Sequence, residues 1–356
     1  WHDKVGNGKR ICTQAIAHSF CNTTRIVTHD VRTMMNSQSQ HDMEVKADEA
    51  IDAINKKAGR NMPQAVGTAV ALIAVILLCL WISPVLFVAL VVVFMILALW
   101  ELRVDLAVIN LHIPLVTLWI CSTITLCAVY FFPRHVVAMA VCICFSLVAV
   151  AISATLQLWH GKRIEKQLDR KMQTAPGTVD RRGESHSRLT QVAVAMFTVL
   201  YIPLLASCII MPLTFNDHYF AHAILVVFMP ALSDTGGLFA GMMFGKHKLS
   251  PRISPKKAVE GLLGSILFAV AGAYVVFACT YDAALWATRW WVPLLLGIII
   301  GIVGTYGDLC ASMLKRDMGI KDMGHLLKGH GGILDRVDSI LMCAPFVCVL
   351  LWATGL

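Results

Sequence analysis

The stretch SMLKRDMGIKDMGHLLKGHGGILDRVD, residues 312–338, lies between two strongly apolar runs. The run before it is VPLLLGIIIGIVGTYG (292–307), and the run after it is SILMCAPFVCVLLWATGL (339–356). Nine of its 27 residues are charged, against 15% of the whole chain. Because long apolar runs become membrane-spanning helices, this stretch is predicted to carry a polar site at a membrane surface.

The chain as a whole has the composition of a membrane protein, with 57% hydrophobic residues and a mean hydropathy of +0.69. The predicted fold is therefore an all-α, polytopic integral membrane protein with about nine transmembrane helices. The nine predicted spans are 64–82, 84–100, 113–132, 136–158, 191–212, 220–244, 259–280, 291–310 and 336–354.

The basic residues predict how these spans are oriented. With nine spans and a cytoplasmic N-terminus, 28 of the 30 Lys and Arg residues fall on the cytoplasmic side, and only Arg134 and Arg289 fall outside. This asymmetry is typical of a multi-pass protein of a bacterial inner membrane, with its C-terminus outside. The basic residues are spread over several loops, which argues against a nucleic-acid partner.

Composition divides the chain into five regions. Residues 1–43 are polar and are predicted to be a disordered cytoplasmic tail. Residues 44–63 form either an interfacial amphipathic helix or a solvated linker. Four helices follow in 64–158, and the basic cytoplasmic loop 159–190 is expected to begin as an extension of the fourth helix. Residues 191–356 hold five helices and the predicted catalytic cavity, which opens to the cytoplasm.

Charged residues inside apolar spans need a reason, because a carboxylate at mid-bilayer is costly. Asp234 lies in the middle of the sixth span, with Pro230, Gly236 and Gly237 nearby. These helix-weakening residues predict a broken helix that lines a polar cavity. A buried aspartate paired with a neighbouring helix is the alternative. In the front half, Glu101 and Arg103 are expected to pair with each other at the end of the second span.

The eighth span ends with an acid, a hydroxyl and an ammonium group on one helix face. Asp308 and Ser312 are four residues apart, and Lys315 continues the same face. A carboxylate binds a hard cation and an ammonium binds phosphate oxygen, so this face suits a metal–phosphate site. Gly297, Gly301 and Gly304 share another face and predict close helix packing.

The ninth span begins in HGGILDRVD, where glycines precede a helix. Gly331 and Gly332 allow close backbone approach, and a helix N-terminus can bind anions. Asp335 and Asp338 are three residues apart on one face. Together with Asp308 they are expected to converge on one or two Mg²⁺ ions. The loop KHKLSPRISPKKAVEG (246–261) carries lysines that either meet phosphates or form a topology-setting charge cluster.

These residues resemble the signature of the CDP-diacylglycerol synthases, also called phosphatidate cytidylyltransferases. The matching elements are Ser312-x-Leu314-Lys315-Arg316, Lys321-Asp322 and His330-Gly331-Gly332-x-x-Asp335-Arg336-x-Asp338, together with SDTGG (233–237), GKHKLSPRISPKKAVEG (245–261) and Gly307-Asp308. The likeness is strong over 190–356 and weaker before it. Lys328 and Val259 depart from the family pattern.

The resemblance implies that CTP and phosphatidate are converted to CDP-diacylglycerol and diphosphate by a membrane-embedded homodimer that uses Mg²⁺, with a second cation left open. It implies metal ligands at Asp308 and Asp335, and catalytic roles for Lys315, Lys321, Asp338 and Asp234. The substrate-binding residues that it implies are Ser312, Arg316, His330, Gly331, Gly332, Lys246, Lys256 and Lys257. A CTP-dependent lipid or polyprenol kinase and a membrane transporter are the alternatives.

Overall fold

The computed structural model describes residues 62–172, 188–216, 218–250, 254–320, 323 and 332–356. Nearly all of these residues are helical, which confirms the predicted all-α, polytopic fold. The helices are α1 (Met62–Ile82), α2 (Pro84–Val108), α3 (Leu115–Phe131), α4 (His135–Met172), α5 (Arg188–Val199), α6 (Leu205–Ile210), α7 (Tyr219–Phe244), α8 (Val259–Thr280), α9 (Ala283–Arg289), α10 (Trp291–Asp317) and α11 (Leu334–Thr354).

Within the described residues, seven segments are long and apolar enough to cross a membrane. They include α2, the first part of α4, α7, α8, α10 and α11, and the continuous segment Leu189–Thr214. Two shorter apolar segments, Ala69–Ile82 and Leu115–Phe131, coincide with the predicted first and third spans. The chain is thus a multi-pass membrane protein, and the count of nine spans stays a prediction.

Within the described residues, the apolar segment Leu189–Thr214 departs from regular α-helix in two places. After α5 comes a π-helical turn, Leu200–Leu204, which contains Pro203. A 3₁₀ turn, Met211–Thr214, follows α6. Proline removes a backbone hydrogen bond, which explains the widened turn.

The break predicted in the sixth span is wrong, because α7 runs without interruption through Pro230 and Asp234. Its glycines serve helix packing instead. A Cβ on Gly236 would lie 2.5 Å from the Phe268 ring and 2.8 Å from the Gly264 carbonyl oxygen of α8. The same holds for α10, where a Cβ on Gly301 would lie 2.6 Å from the Ile266 Cα. The close packing predicted from the glycines of the eighth span is therefore present, and it fixes α8 between α7 and α10.

Three helices extend further than the apolar pattern alone indicated. The helix α4 continues to Met172, as expected for the start of the basic loop. The helix α2 continues to Val108 and α10 to Asp317, so the charged residues at these ends are helical. Gly319, with φ of 72°, ends α10, and the Ile320 amide donates to the Lys315 carbonyl. This left-handed glycine is a common helix stop.

A short β-hairpin connects α7 and α8. Its strands, β1 (Lys248–Ser250) and β2 (Ser254–Ala258), pair antiparallel with Lys248 opposite Ala258. The predicted tail 1–43, most of the juxtamembrane region 44–63 and the later part of the loop 159–190 lie outside the described residues.

Candidate active site

The hairpin is joined to α10 through one lysine. The Lys257 Nζ lies 2.7 Å from the Asp308 Oδ2 and donates a hydrogen bond of 2.9 Å to the Thr305 carbonyl. Thr305 is one turn before Asp308, so a single ammonium group binds two positions on the same helix face. Helix α10 thereby presents Asp308, Ser312 and Lys315 in successive turns, as the spacing predicted.

A second acid–lysine pair joins α10 to the start of α11. The Lys315 Nζ lies 2.8 Å from the Asp335 Oδ1, and both side chains are largely buried. The Asp335 Oδ2 accepts hydrogen bonds from the Met323 amide at 2.9 Å and from the Gly332 amide at 3.4 Å. Both oxygens of this carboxylate therefore have partners within the chain.

The N-terminus of α11 is also held from the front half of the chain. The Glu101 Oε2 accepts a hydrogen bond of 3.0 Å from the amide of Leu334, the first residue of α11. Glu101 is fully buried, whereas Arg103 is exposed on another face of α2. The predicted pair of Glu101 with Arg103 is therefore wrong. Residues two apart on a helix do not face each other, and a closer partner lies on α11.

Two further carboxylates, Asp338 and Asp234, lie near these acid–lysine pairs. Asp338 is buried, and its Oδ1 accepts from the Ser339 amide at 2.7 Å. Its carboxylate interacts electrostatically with Asp308, Asp234 and Lys315. Asp234 interacts electrostatically with Asp308, Lys257 and Arg336. The structure thus brings Asp234, Asp308, Asp335 and Asp338 from three helices into one charged cluster, although they are far apart in the sequence.

Two members of this cluster were not identified from the sequence. Tyr201, on the π-helical turn, interacts electrostatically with Asp308, Asp335 and Asp338. Arg336 interacts with Asp234, and its buried Nε has no hydrogen-bond partner among the described residues. The available signal for Tyr201 was Pro203, two residues later, because a proline inside a helix disturbs its regular turn. Local π-helical turns are frequent at functional sites. Arg336 belongs to the HGGILDRVD motif, and this was the signal that could have included it among the site residues.

The other predicted site residues differ in how far the structure locates them. Ser312 is half-buried on α10, while Arg316 and Lys246 are exposed. Gly332 is buried, and an added Cβ would overlap the Met323 carbonyl oxygen. The backbone of Lys256 lies in β2, but its side chain is outside the described part of the chain. Lys321, His330 and Gly331 are also outside it.

The cluster has the donor chemistry of a Mg²⁺ site, although it contains no complete cage. In the described part of the chain, no three His, Cys, Asp or Glu side chains are arranged to hold a metal ion. Mg²⁺ is commonly held by one or two carboxylates and completes its shell with water and substrate phosphate. Asp308, with a side chain 37% exposed, fits this description better than Asp335, whose oxygens are already engaged.

Comparison with known proteins identifies the family. The sequence pattern of the cytidylyltransferase family matches residues 63–354. This match covers most of the chain, including every helix that contributes to the charged cluster. The chain therefore belongs to the cytidylyltransferase family.

The similar curated proteins share a more specific name. A phosphatidate cytidylyltransferase of Mycobacterium bovis is 37% identical over 166 residues, which are 46% of this chain and 51% of that protein. One from Staphylococcus haemolyticus is 42% identical over 135 residues, 38% of this chain and 49% of that protein. One from Staphylococcus aureus is 39% identical over 137 residues. The chain thus matches about half the length of these relatives.

Proposed function

We propose that this protein is a phosphatidate cytidylyltransferase, which converts CTP and phosphatidate to CDP-diacylglycerol and diphosphate. The observation that carries the proposal is the cluster of two acid–lysine pairs, Lys257 with Asp308 and Lys315 with Asp335, at adjacent helix ends. Family membership and the names of the similar proteins support the same reaction. Both substrates carry phosphate groups, and one of them lies in the membrane.

The reaction needs charge compensation more than acid–base chemistry. A phosphate oxygen of phosphatidate forms a bond to the α-phosphorus of CTP. The bond from that phosphorus to the bridging oxygen breaks, and its electron pair leaves with diphosphate. The attacking phosphate is already ionised, so no strong general base is required. Positioning two anions and stabilising their charge is the main task of the protein.

The lysines and the arginine of the cluster supply that stabilisation. Lys257 and Lys315 lie beside carboxylates, and the ammonium group of each can also donate to a phosphate oxygen. The Arg336 Nε, for which the described part of the chain offers no hydrogen-bond partner, is a further donor for a phosphate. Ser312, Arg316, Lys246, Lys256, Lys321, His330 and the Gly331–Gly332 amides remain proposed substrate contacts.

Mg²⁺ is part of the proposal. Asp308 would hold it, and Asp234 and Asp338, which both interact electrostatically with Asp308, are further carboxylates of the cluster. When bound, it would neutralise phosphate oxygens of CTP and stabilise the leaving diphosphate. Asp335, both of whose oxygens already accept hydrogen bonds, is the less accessible ligand. The proposed setting is a bacterial inner membrane with the cluster on the cytoplasmic side, and a homodimer that crosslinking of the intact protein can test.

One assay separates this proposal from its rivals. Purified protein is incubated with phosphatidate and a lipid alcohol, and with CTP labelled on either the α- or the γ-phosphate. Transfer of the α-label to lipid is the expected result. Transfer of the γ-label to a lipid alcohol would instead identify a lipid kinase. If neither labelled nucleotide labels lipid, and the label is instead taken up into vesicles that contain the protein, the protein is a transporter.

A further inference from the structure

Glu101 is an acidic residue in the front half of the chain that has no place in the proposed chemistry. Its side chain is fully buried on α2, near the charged end of that helix. The Oε2 accepts a hydrogen bond of 3.0 Å from the Leu334 amide. Leu334 follows Glu101 by 233 positions in the sequence. Glu101 thus reaches across the bundle to the first residue of the helix that carries Asp335 and Asp338.

Burying a carboxylate at this position destabilises the fold unless the carboxylate makes a specific favourable contact. The Glu101 Oε1 has no hydrogen-bond partner among the described residues. Burial of an incompletely paired carboxylate destabilises a protein, and an apolar side chain would serve packing alone better. The favourable contact is with the N-terminus of α11, where free amides and the helix dipole stabilise negative charge. The location of Glu101 therefore indicates a role at that helix end.

The helix end held by Glu101 is also the one that positions Asp335. The Gly332 amide donates to Asp335, while the neighbouring Leu334 amide donates to Glu101. A Cβ on Gly332 would lie 2.7 Å from the Glu101 Oε2, so the carboxylate closely contacts this turn. Asp335 in turn pairs with Lys315. Loss of Glu101 would leave the Leu334 amide without its partner and loosen the first turn of α11.

We infer that Glu101 is a positioning residue, which fixes the first turn of α11 so that Asp335 meets Lys315. It does not touch substrate in this inference, and it acts through the Leu334 amide. The inference rests on the proposed function for its kinetic consequences, but its structural part, the protection of the Leu334 amide, is independent of any activity.

The test compares Glu101→Ala and Glu101→Gln with Arg103→Ala, a matched control on the exposed face of the same helix. Glu101→Ala should lower kcat at least about tenfold, with KM for both substrates within about threefold of wild type. Glu101→Gln keeps a carbonyl acceptor and should retain kcat within about threefold. The double variant Glu101→Ala/Asp335→Asn should be no slower than Asp335→Asn alone. Glu101 acts by positioning the Asp335 carboxylate, and that carboxylate is already absent in Asp335→Asn.

Hydrogen exchange supplies the readout that does not depend on turnover. The Leu334 amide and its neighbours should exchange faster in Glu101→Ala than in wild type or Arg103→Ala. The inference would be overturned by unchanged exchange at the Leu334 amide in Glu101→Ala. It would also be overturned if Glu101→Gln and Glu101→Ala lost kcat equally, or if the double variant were slower than Asp335→Asn alone. If wild-type protein makes no CDP-diacylglycerol, the proposed function fails, and the exchange experiment alone decides the role of Glu101. If Glu101→Ala does not fold, Glu101→Gln is compared with wild type, and slowed turnover or faster exchange in it would overturn the inference.

Discussion

The Lys257 ammonium lies 2.7 Å from the Asp308 carboxylate and also donates to the Thr305 carbonyl one turn earlier on α10. Lys257 of the hairpin therefore contacts α10 at Asp308, the principal proposed ligand of the cation. Another hairpin lysine, Lys248 on β1, is exposed. The two lysines therefore share a hairpin and differ in whether they contact the cluster.

Lys257→Met should lower kcat/KM for CTP by at least about 100-fold, or ~2.7 kcal/mol of barrier, because it removes a cation from the place where phosphate charge accumulates. Lys248→Met should stay within about threefold of wild type, since an exposed charge contributes little. Steady-state kinetics of both variants in the same detergent measure the difference. Equal losses in the two variants would mean that the hairpin contributes only a general positive charge.

Gly332→Ala tests the tight turn before α11. An added Cβ would overlap the Met323 carbonyl oxygen, so the backbone that presents Asp335 would have to move. We expect turnover to fall at least about 100-fold, since overpacking against a backbone carbonyl displaces the elements on both sides. Kinetics and thermal unfolding in detergent are the measurements.

The control for this variant is Gly319→Ala, at the end of α10. Gly319 has a φ of 72°, and an added Cβ there would have no atom of the described residues within 4 Å. Its cost should be limited to the left-handed conformation, about 1–2 kcal/mol of unfolding free energy. A Gly332→Ala protein that is no less active and no less stable than Gly319→Ala would contradict the close approach at Met323.

The parts of the site that depend on local geometry could be predicted from the sequence. Asp308, Ser312 and Lys315 share a face because a helix repeats every 3.6 residues, and α10 is helical there. The glycines of the same helix likewise predicted close helix packing, which the structure shows to be against α8. These inferences needed only the helical period and the length of the apolar run.

The parts that depend on contacts between distant segments could not be predicted. No pattern within α2 indicates that Glu101 meets Leu334, so a neighbouring arginine was the expected partner. The break predicted near Asp234 failed for a related reason. Packing against α8 keeps α7 helical despite Pro230. Proline removes one backbone hydrogen bond, whereas a break in the helix would leave several backbone groups without partners in the membrane. Which lysine pairs with which aspartate also emerged only from the assembled bundle.

The membrane orientation is tested with a reporter that is active only in the cytoplasm. Fused after Asn110, between α2 and α3, it should be active, because nine spans place that turn inside. Fused after Leu356, it should be silent. A silent fusion at Asn110 would mean that the short apolar segment Ala69–Ile82 does not cross the membrane. An active fusion at Leu356 would contradict an odd number of spans.

The two acid–lysine pairs give the central prediction. Asp308→Asn and Asp335→Asn keep the side-chain shape and remove the charge, so each should lower turnover at least about 100-fold while the protein remains folded. Because both residues serve one site, the double variant should be little slower than the slower single variant. Turnover and the elution of each variant on size-exclusion chromatography are measured together. A well-folded Asp335→Asn protein with near-normal turnover would contradict a catalytic role for the pair with Lys315.

A magnesium titration then separates the roles of the two carboxylates. The Asp308 carboxylate has one lysine partner and an accessible side chain, whereas both oxygens of Asp335 are engaged by Lys315 and by two backbone amides. Asp308→Asn should therefore raise the Mg²⁺ concentration for half-maximal activity by about tenfold or more, since one ligand charge is lost. Asp335→Asn should change it by less than about threefold, because its main effect is on Lys315 and the turn before α11. An equal shift in both variants would instead make Asp335 a cation ligand that gives up one of its partners when substrate binds.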